Sequence, residues 1–98
     1  MAENLRVKWS DEAMAELDYF YLYLVLNFGK KEAEEFLDQI EEFEIVISRY
    51  PESFISSEIK SNLRIGFVNK IVSCVYEIGV SEVFIVSLID NRSKKNPR

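Results

Sequence analysis

"NLRIGFVNKIVSCVYEIGVSEVFIVSLID", residues 62–90, decides how this chain folds. It holds three apolar runs, 63–68, 70–78 and 82–89, rich in β-branched and aromatic residues. Asn69 separates the first two and Gly79–Ser81 the last two, so hairpin turns join three consecutive strands. The run 82–89 is apolar at odd and even positions alike, which predicts a central strand. Arg64 and Gly66 leave one face of the first run less apolar.

Outward toward the N-terminus, "PESFISSEIKSN" (51–62) reads as a polar, serine-rich connection. Before it, Ala33, Phe36, Ile40, Phe43 and Ile47 recur at helical spacing, with Glu34, Glu35, Asp38, Glu41 and Glu42 mostly on the other side. A helix is therefore predicted from Lys30 or Lys31 to about Tyr50, ended by Pro51. An earlier helix starts after Ser10, an N-cap followed by Asp11 and Glu12 in the first turn, and stops at Gly29. Its predicted inner stripe is Met14, Leu17, Tyr21, Leu24 and Phe28. Phe20, Leu22, Tyr23, Val25 and Leu26 widen that surface, so the helix is expected to be covered on more than one side. With one glycine between them, the helices must form an antiparallel hairpin. "LRVKWS" (5–10) alternates Leu5, Val7 and Trp9 with Arg6 and Lys8, a strand with one buried face. The predicted fold is α+β in the order β-α-α-β-β-β, a small twisted sheet with the helical hairpin packed on one face.

With 98 residues, 48% of them hydrophobic, the chain (1–98) makes one domain. The single cysteine, Cys74, cannot form an internal disulfide, and its apolar surroundings suit a small buried hydrophobe better than a reactive thiol. Residues 1–6 do not read as a signal peptide, and Tyr19–Leu26 is less than half of a membrane span, which needs about 20 residues. A cytoplasmic location with no membrane contact is expected. The charge is divided: residues 1–59 carry 14 acidic and 5 basic side chains, whereas residues 60–98 carry 3 and 7. The acidic helix face reads as a solvated surface.

There is no histidine, which removes Ser-His-Asp and Cys-His catalysis and His-containing metal sites. The three glycines are isolated, so there is no phosphate loop, and no cofactor or metal is expected. The candidate functional cations are Lys60 and Arg64 at the second strand, and Arg92, Lys94 and Lys95 after the last. Were the helices to cover the other face, Arg64 and Val68 would form an exposed floor suited to carboxylate or phosphate. The competing reading pairs Arg64 with Glu77 or Asp90 across the sheet, and Asp90 with Arg92 as a strand-ending pair.

Four stretches, in order and at these spacings, resemble the RelE/ParE superfamily of bacterial toxins from type II toxin–antitoxin systems over nearly the whole length. They are "VKWSDEAMAELDYFYLYL", "NFGKKEAEEFLDQIEEFEIVISRYP", "NLRIGFVNKIVSCVYEI" and "VFIVSLIDNRSKKNP". The resemblance implies a cytoplasmic, growth-inhibiting toxin of the kind used in plasmid stabilisation. It also implies a cognate antitoxin that wraps and suppresses the toxin, and assembly as a homodimer or a toxin–antitoxin heterotetramer. RelE-like members cut mRNA on the ribosome with a basic cleft and often a Tyr, His or Glu near the C-terminus. ParE-like members lack that set and act on DNA gyrase. Arg64 and Arg92 match arginines common to both branches.

The chain has no histidine and no tyrosine after Tyr76, and it carries net negative charge. It therefore sits closer to the ParE-like branch, with a ribosome-dependent endoribonuclease and an inactive, antitoxin-binding relic as alternatives. On that reading Tyr19, Tyr23 and Leu26 become candidate antitoxin contacts, against simple core or dimer packing.

Overall fold

Ser10 sets the boundary between the first strand and the first helix. In the computed structural model, which describes residues 4–56 and 62–92, its Oγ accepts from the Ala13 N–H at 2.9 Å and donates to the Val86 carbonyl at 2.7 Å. β1 (Arg6–Trp9) therefore ends where α1 (Asp11–Phe28) begins, and Asp11 and Glu12 occupy the first turn, beside the exposed N–H groups. Gly29, with φ of 104°, closes α1 by donating its N–H to the Leu24 and Val25 carbonyls. That left-handed φ favours glycine, and it turns the chain directly into α2 (Lys30–Arg49).

The predicted α2 stripe is the observed one: Ala33, Phe36, Ile40, Phe43 and Ile47 are all buried. The α1 face differs from expectation. Ala13, Phe20 and Leu24 are buried, Leu17 and Tyr21 are half-buried, and Met14 and Phe28 are exposed. Apolar side chains surround most of α1, so several stripes fit its spacing. Ala13, small enough for close packing, fixes the rotation that is used.

The sheet has the order β1-β5-β4-β3-β2, in which β2 (Ile55–Ser56) is a two-residue strand inside the stretch expected to be connection only. It pairs antiparallel with β3 (Leu63–Phe67), Ile55 opposite Ile65 and Ser56 opposite Arg64. β4 (Val72–Ile78) and β5 (Glu82–Asp90) complete the hairpins, and β5 is bonded on both sides, parallel to β1 and antiparallel to β4. A register shift at Val75/Tyr76 leaves Val86 as an extra residue in β5. Its carbonyl is the one held by Ser10, while the next free N–H, of Leu88, donates to Glu16 Oε1 at 2.7 Å.

Both helices cover one face of the sheet. Their buried residues join Val72, Cys74, Tyr76, Val83, Ile85 and Leu88 in one core. Gly66 faces that core, and a Cβ there would lie 2.5 Å from Phe43 Cε1 and 3.1 Å from Phe54 Cδ2. Glycine is needed for that close approach, because the Phe43 ring fills the side-chain space. No helix among the described residues is long and apolar enough to cross a membrane.

Candidate functional site

β5 delivers Arg92 just past its end, where Asp90 captures it. Arg92 Nε donates to Asp90 Oδ1 at 3.1 Å and Nη2 to Oδ2 at 3.0 Å, a bidentate fork, and Nη1 donates to Tyr23 Oη at 2.8 Å. The guanidinium carbon also lies 4.8 Å from the centre of the Tyr23 ring, so this side chain ties the end of β5 to α1. These hydrogen bonds, that to Asp90 first, raise the Arg92 pKa above even its ordinary value. The expected Asp90–Arg92 pair is present, and Tyr23 is a third member that strand reasoning could not supply.

Arg64 is elsewhere. It shares a sheet face with Gly66 and stands opposite Tyr76, which places it on the helix-covered side rather than on an open floor. Alternation dictates this: Leu63, Ile65 and Phe67 take the other face. Nη1 of Arg64 donates to the Phe54 carbonyl at 2.7 Å and reaches the Glu52 carbonyl at 3.4 Å, while Tyr76 Oη donates to the Pro51 carbonyl at 2.5 Å. Together they pin the segment that follows α2. Burial, partly opposed by Arg64, pushes the Tyr76 hydroxyl up to about 12. Glu77 accepts instead from Asn62 at 2.9 Å and Asp90 holds Arg92, so the expected cross-strand pairing of Arg64 is not formed.

Arg64 is level with Tyr76 and Ile85, whereas Asp90 is level with Val72 at the far end of the hairpin. At about 3.3 Å per residue, the two arginines are roughly 15 Å apart along the strands and two strands apart across them. The structure does not gather them into one cleft. Lys60, Lys94 and Lys95 lie outside the described residues.

The face of β3, β4 and β5 away from the helices exposes Ile65, Phe67, Phe84 and Ile89 around Val75, interspersed with Ser73, Glu77, Glu82 and Ser87, and carries no Lys or Arg among the described residues of those strands. β5 is apolar on both faces because it is central and because its second face is an uncovered surface. Sequence reasoning recovered only the first reason. On neighbouring β1, Lys8 lies 3.7 Å from Glu82.

A second uncovered surface is the outside of α1. Tyr19, Leu22 and Leu26 are 63%, 57% and 75% exposed. Tyr19 and Leu26 were expected contacts and are free to make them; Tyr23, half-buried, is held at Arg92. Leu22 was read only as part of the wide surface.

Cys74 is buried, and burial followed by the charge of Glu44 pushes its thiol up to about 12, which leaves it inert at neutral pH. Among the described residues no group of acidic or cysteine side chains could hold a metal ion.

No family model and no curated protein matches the chain. Solved structures do. A chain of the chromosomal ParDE TA system from P. aeruginosa superposes with a TM-score of 0.74 at 20% identity, covering 91% of this chain and 98% of that one. The YoeB dimer from Staphylococcus aureus gives 0.59 at 18% identity, over 87% and 94%. The conserved protein HP0894 from Helicobacter pylori gives 0.55 at 14%, over 88% and 93%. The chain thus shares its fold with these three structures, and its architecture is the α+β sheet with a helical hairpin on one face that the sequence predicts. Of these three likenesses, the ParDE chain is matched with the highest TM-score and over the largest share of both chains.

Proposed function

We propose that this chain is the toxin component of a type II toxin–antitoxin system, of the ParE-like kind, which arrests growth by acting on DNA gyrase and is neutralised by a cognate antitoxin. The observation that carries this reading is the open sheet face. Cutting RNA on the ribosome needs cations to neutralise phosphates and a group to move a proton. Here Arg92 is committed to Asp90 and Tyr23, Arg64 is turned beneath the helices, and the outward face of the central strands exposes apolar side chains and, among the described residues, no Lys or Arg. Such a surface suits docking to a protein. The match to a ParDE chain over nearly the full length supports the same branch. The antitoxin would contact Tyr19, Tyr23 and Leu26, where apolar side chains stand beside the Arg92 cluster.

Induced expression in a bacterium, followed on plasmid topology and mRNA ends together, tests the reading. The expected result is growth arrest with loss of gyrase supercoiling, reversed by co-expression of the small reading frame next to the gene. Codon-phased mRNA cuts with intact supercoiling would replace it with the ribonuclease reading, and no growth effect would replace it with the inactive relic.

A further inference from the structure

β1 is an edge of the sheet, and its backbone is used on one side only. The Arg6 N–H donates to the Ser81 carbonyl at 3.3 Å and the Ser10 N–H to the Ile85 carbonyl at 2.9 Å, so Arg6, Lys8 and Ser10 turn their peptide groups toward β5. Those of Leu5, Val7 and Trp9 face the other way. Leu5 is satisfied there, since its N–H donates to the Ser48 carbonyl at 3.0 Å and its carbonyl accepts from Ser48 Oγ at 2.7 Å. Beyond Leu5 the edge is open. No described residue bonds to the outward N–H and C=O groups of Val7 and Trp9, and Lys8, of the kind that often blunts an edge, lies on the other sheet face at Glu82.

A cleft of about 470 Å³ runs beside this edge, between β1 and α2, and is lined by Val7, Glu41, Glu44, Ile45, Ser48 and Arg49. Ser48 stands at Leu5 and Glu44 accepts from Trp9 Nε1 at 2.6 Å, so the helix runs antiparallel to the strand. Arg49 is therefore at the Leu5 end, Ile45, 52% exposed, is beside Val7, and Glu41 and Glu44 are at the Trp9 end, with Glu41 roughly 10 Å along the helix from Ser48. Neither Glu41 nor Arg49 makes an ion pair or a side-chain hydrogen bond among the described residues.

We propose that this edge docks an extended segment of another protein, which adds to the sheet as an antiparallel strand beside β1 and carries the pattern basic-x-aliphatic. The residues opposite Trp9 and Val7 exchange both backbone hydrogen bonds with them. Their side chains share the pleat of Val7 and Trp9 and so enter the cleft. The one opposite Trp9 meets Glu41 and Glu44, which favours Lys or Arg and sets an acidic residue against two carboxylates. The one opposite Val7 meets Ile45, which favours Val or Ile. Ser48 fixes the register, because it occupies the edge at Leu5 and turns the added strand away there. This site lies on neither the open sheet face nor the outside of α1, and docking at it does not depend on gyrase.

The test uses the full chain, made by cell-free synthesis, and the blocked peptide Thr-Arg-Thr-Val-Thr. Trp9 is the only tryptophan, so its fluorescence reports on the site. Titration should give a saturable change with a dissociation constant on the order of 100 µM, and exchange of the Val7 and Trp9 amide hydrogens should slow. N-methylation of the peptide's valine removes a ladder donor and should weaken binding about tenfold. Glu41→Lys, at an exposed position, should weaken it about threefold with an unchanged circular dichroism spectrum, and should strengthen binding of Thr-Glu-Thr-Val-Thr. No saturable change, equal binding of the N-methylated peptide, or an undiminished preference for arginine over glutamate in Glu41→Lys overturns the proposal. A fluorescence change on concentrating the chain alone, with none on adding peptide, gives the edge to a second copy and overturns it as well.

Discussion

Gly66→Ala is the substitution whose cost can be worked most directly. In most strands, glycine to alanine would stabilise by about 0.5–1 kcal/mol, because alanine has less backbone freedom to lose. Here the new methyl carbon would stand 2.5 and 2.7 Å from Phe43 Cε1 and Cζ and 3.1 Å from Phe54 Cδ2. Phe43 cannot easily step aside: it is buried, with Phe54 and Tyr76 ring centres 5.2 and 6.0 Å away. Inserting a methyl group into such packing costs about 1–3 kcal/mol, and the closeness of two ring atoms argues for the upper part of that range. The expected net loss is about 2 kcal/mol, which for a domain of this size lowers Tm by roughly 10 °C. Urea titration and calorimetry would measure it. A double-mutant cycle with Phe43→Leu should recover at least half of the loss by removing the offending ring edge. Unchanged or increased stability of Gly66→Ala would refute the account of why glycine stands there.

Ser10→Ala removes both the cap to Ala13 and the bond to Val86, and should cost about 1–2 kcal/mol by denaturant titration, more than an ordinary exposed cap. Cys74 and Tyr76 are both held neutral, with folded pKa values near 12 that lie above those of the unfolded chain. Their contribution to stability is therefore complete below about pH 8.5–10, where both are protonated in either state, and is lost as pH rises toward 12. Stability measured from pH 8 to 12 should fall, and native Cys74 should resist thiol reagents at neutral pH until the protein unfolds. Arg92→Gln breaks an exposed cluster and should change stability by no more than about 1 kcal/mol. It should leave growth arrest intact on the gyrase reading, whereas a phosphate ligand at this position would make arrest depend on it.

The legible parts of the fold were those where one pattern had one solution. α2 is polar except for a single stripe, so Phe36, Ile40, Phe43 and Ile47 could face only the core. α1 is apolar nearly all round, and its buried face could not be read without the sheet it packs on. β5 was recognised as central from its apolar content, but that same content also marks a bare face, and no local signal separates the two causes. Asp90 and Arg92 stand two positions apart and their pairing was readable, whereas Tyr23 joins them from 69 positions away. The placement of Arg64 turned on which sheet face the helices cover, a matter settled by Gly66 and Phe43 together rather than by either residue alone. β2 is too short, at two residues, to carry a period.

The position of β5 bears on how the chain is made. The strand that joins β1 to β4 is the last among the described residues, and its parallel pairing with β1, Val7 opposite Val83, spans most of the chain. Contacts of that separation form late, because the loop they close must first lose its freedom. During synthesis the helical hairpin can gather as it leaves the ribosome, but its apolar side has no sheet to rest on until Asp90 has emerged. The nascent chain therefore presents Phe36, Phe43 and Ile47 from the moment they emerge until β5 follows, a window in which a neighbouring protein already in place could engage it before the fold closes.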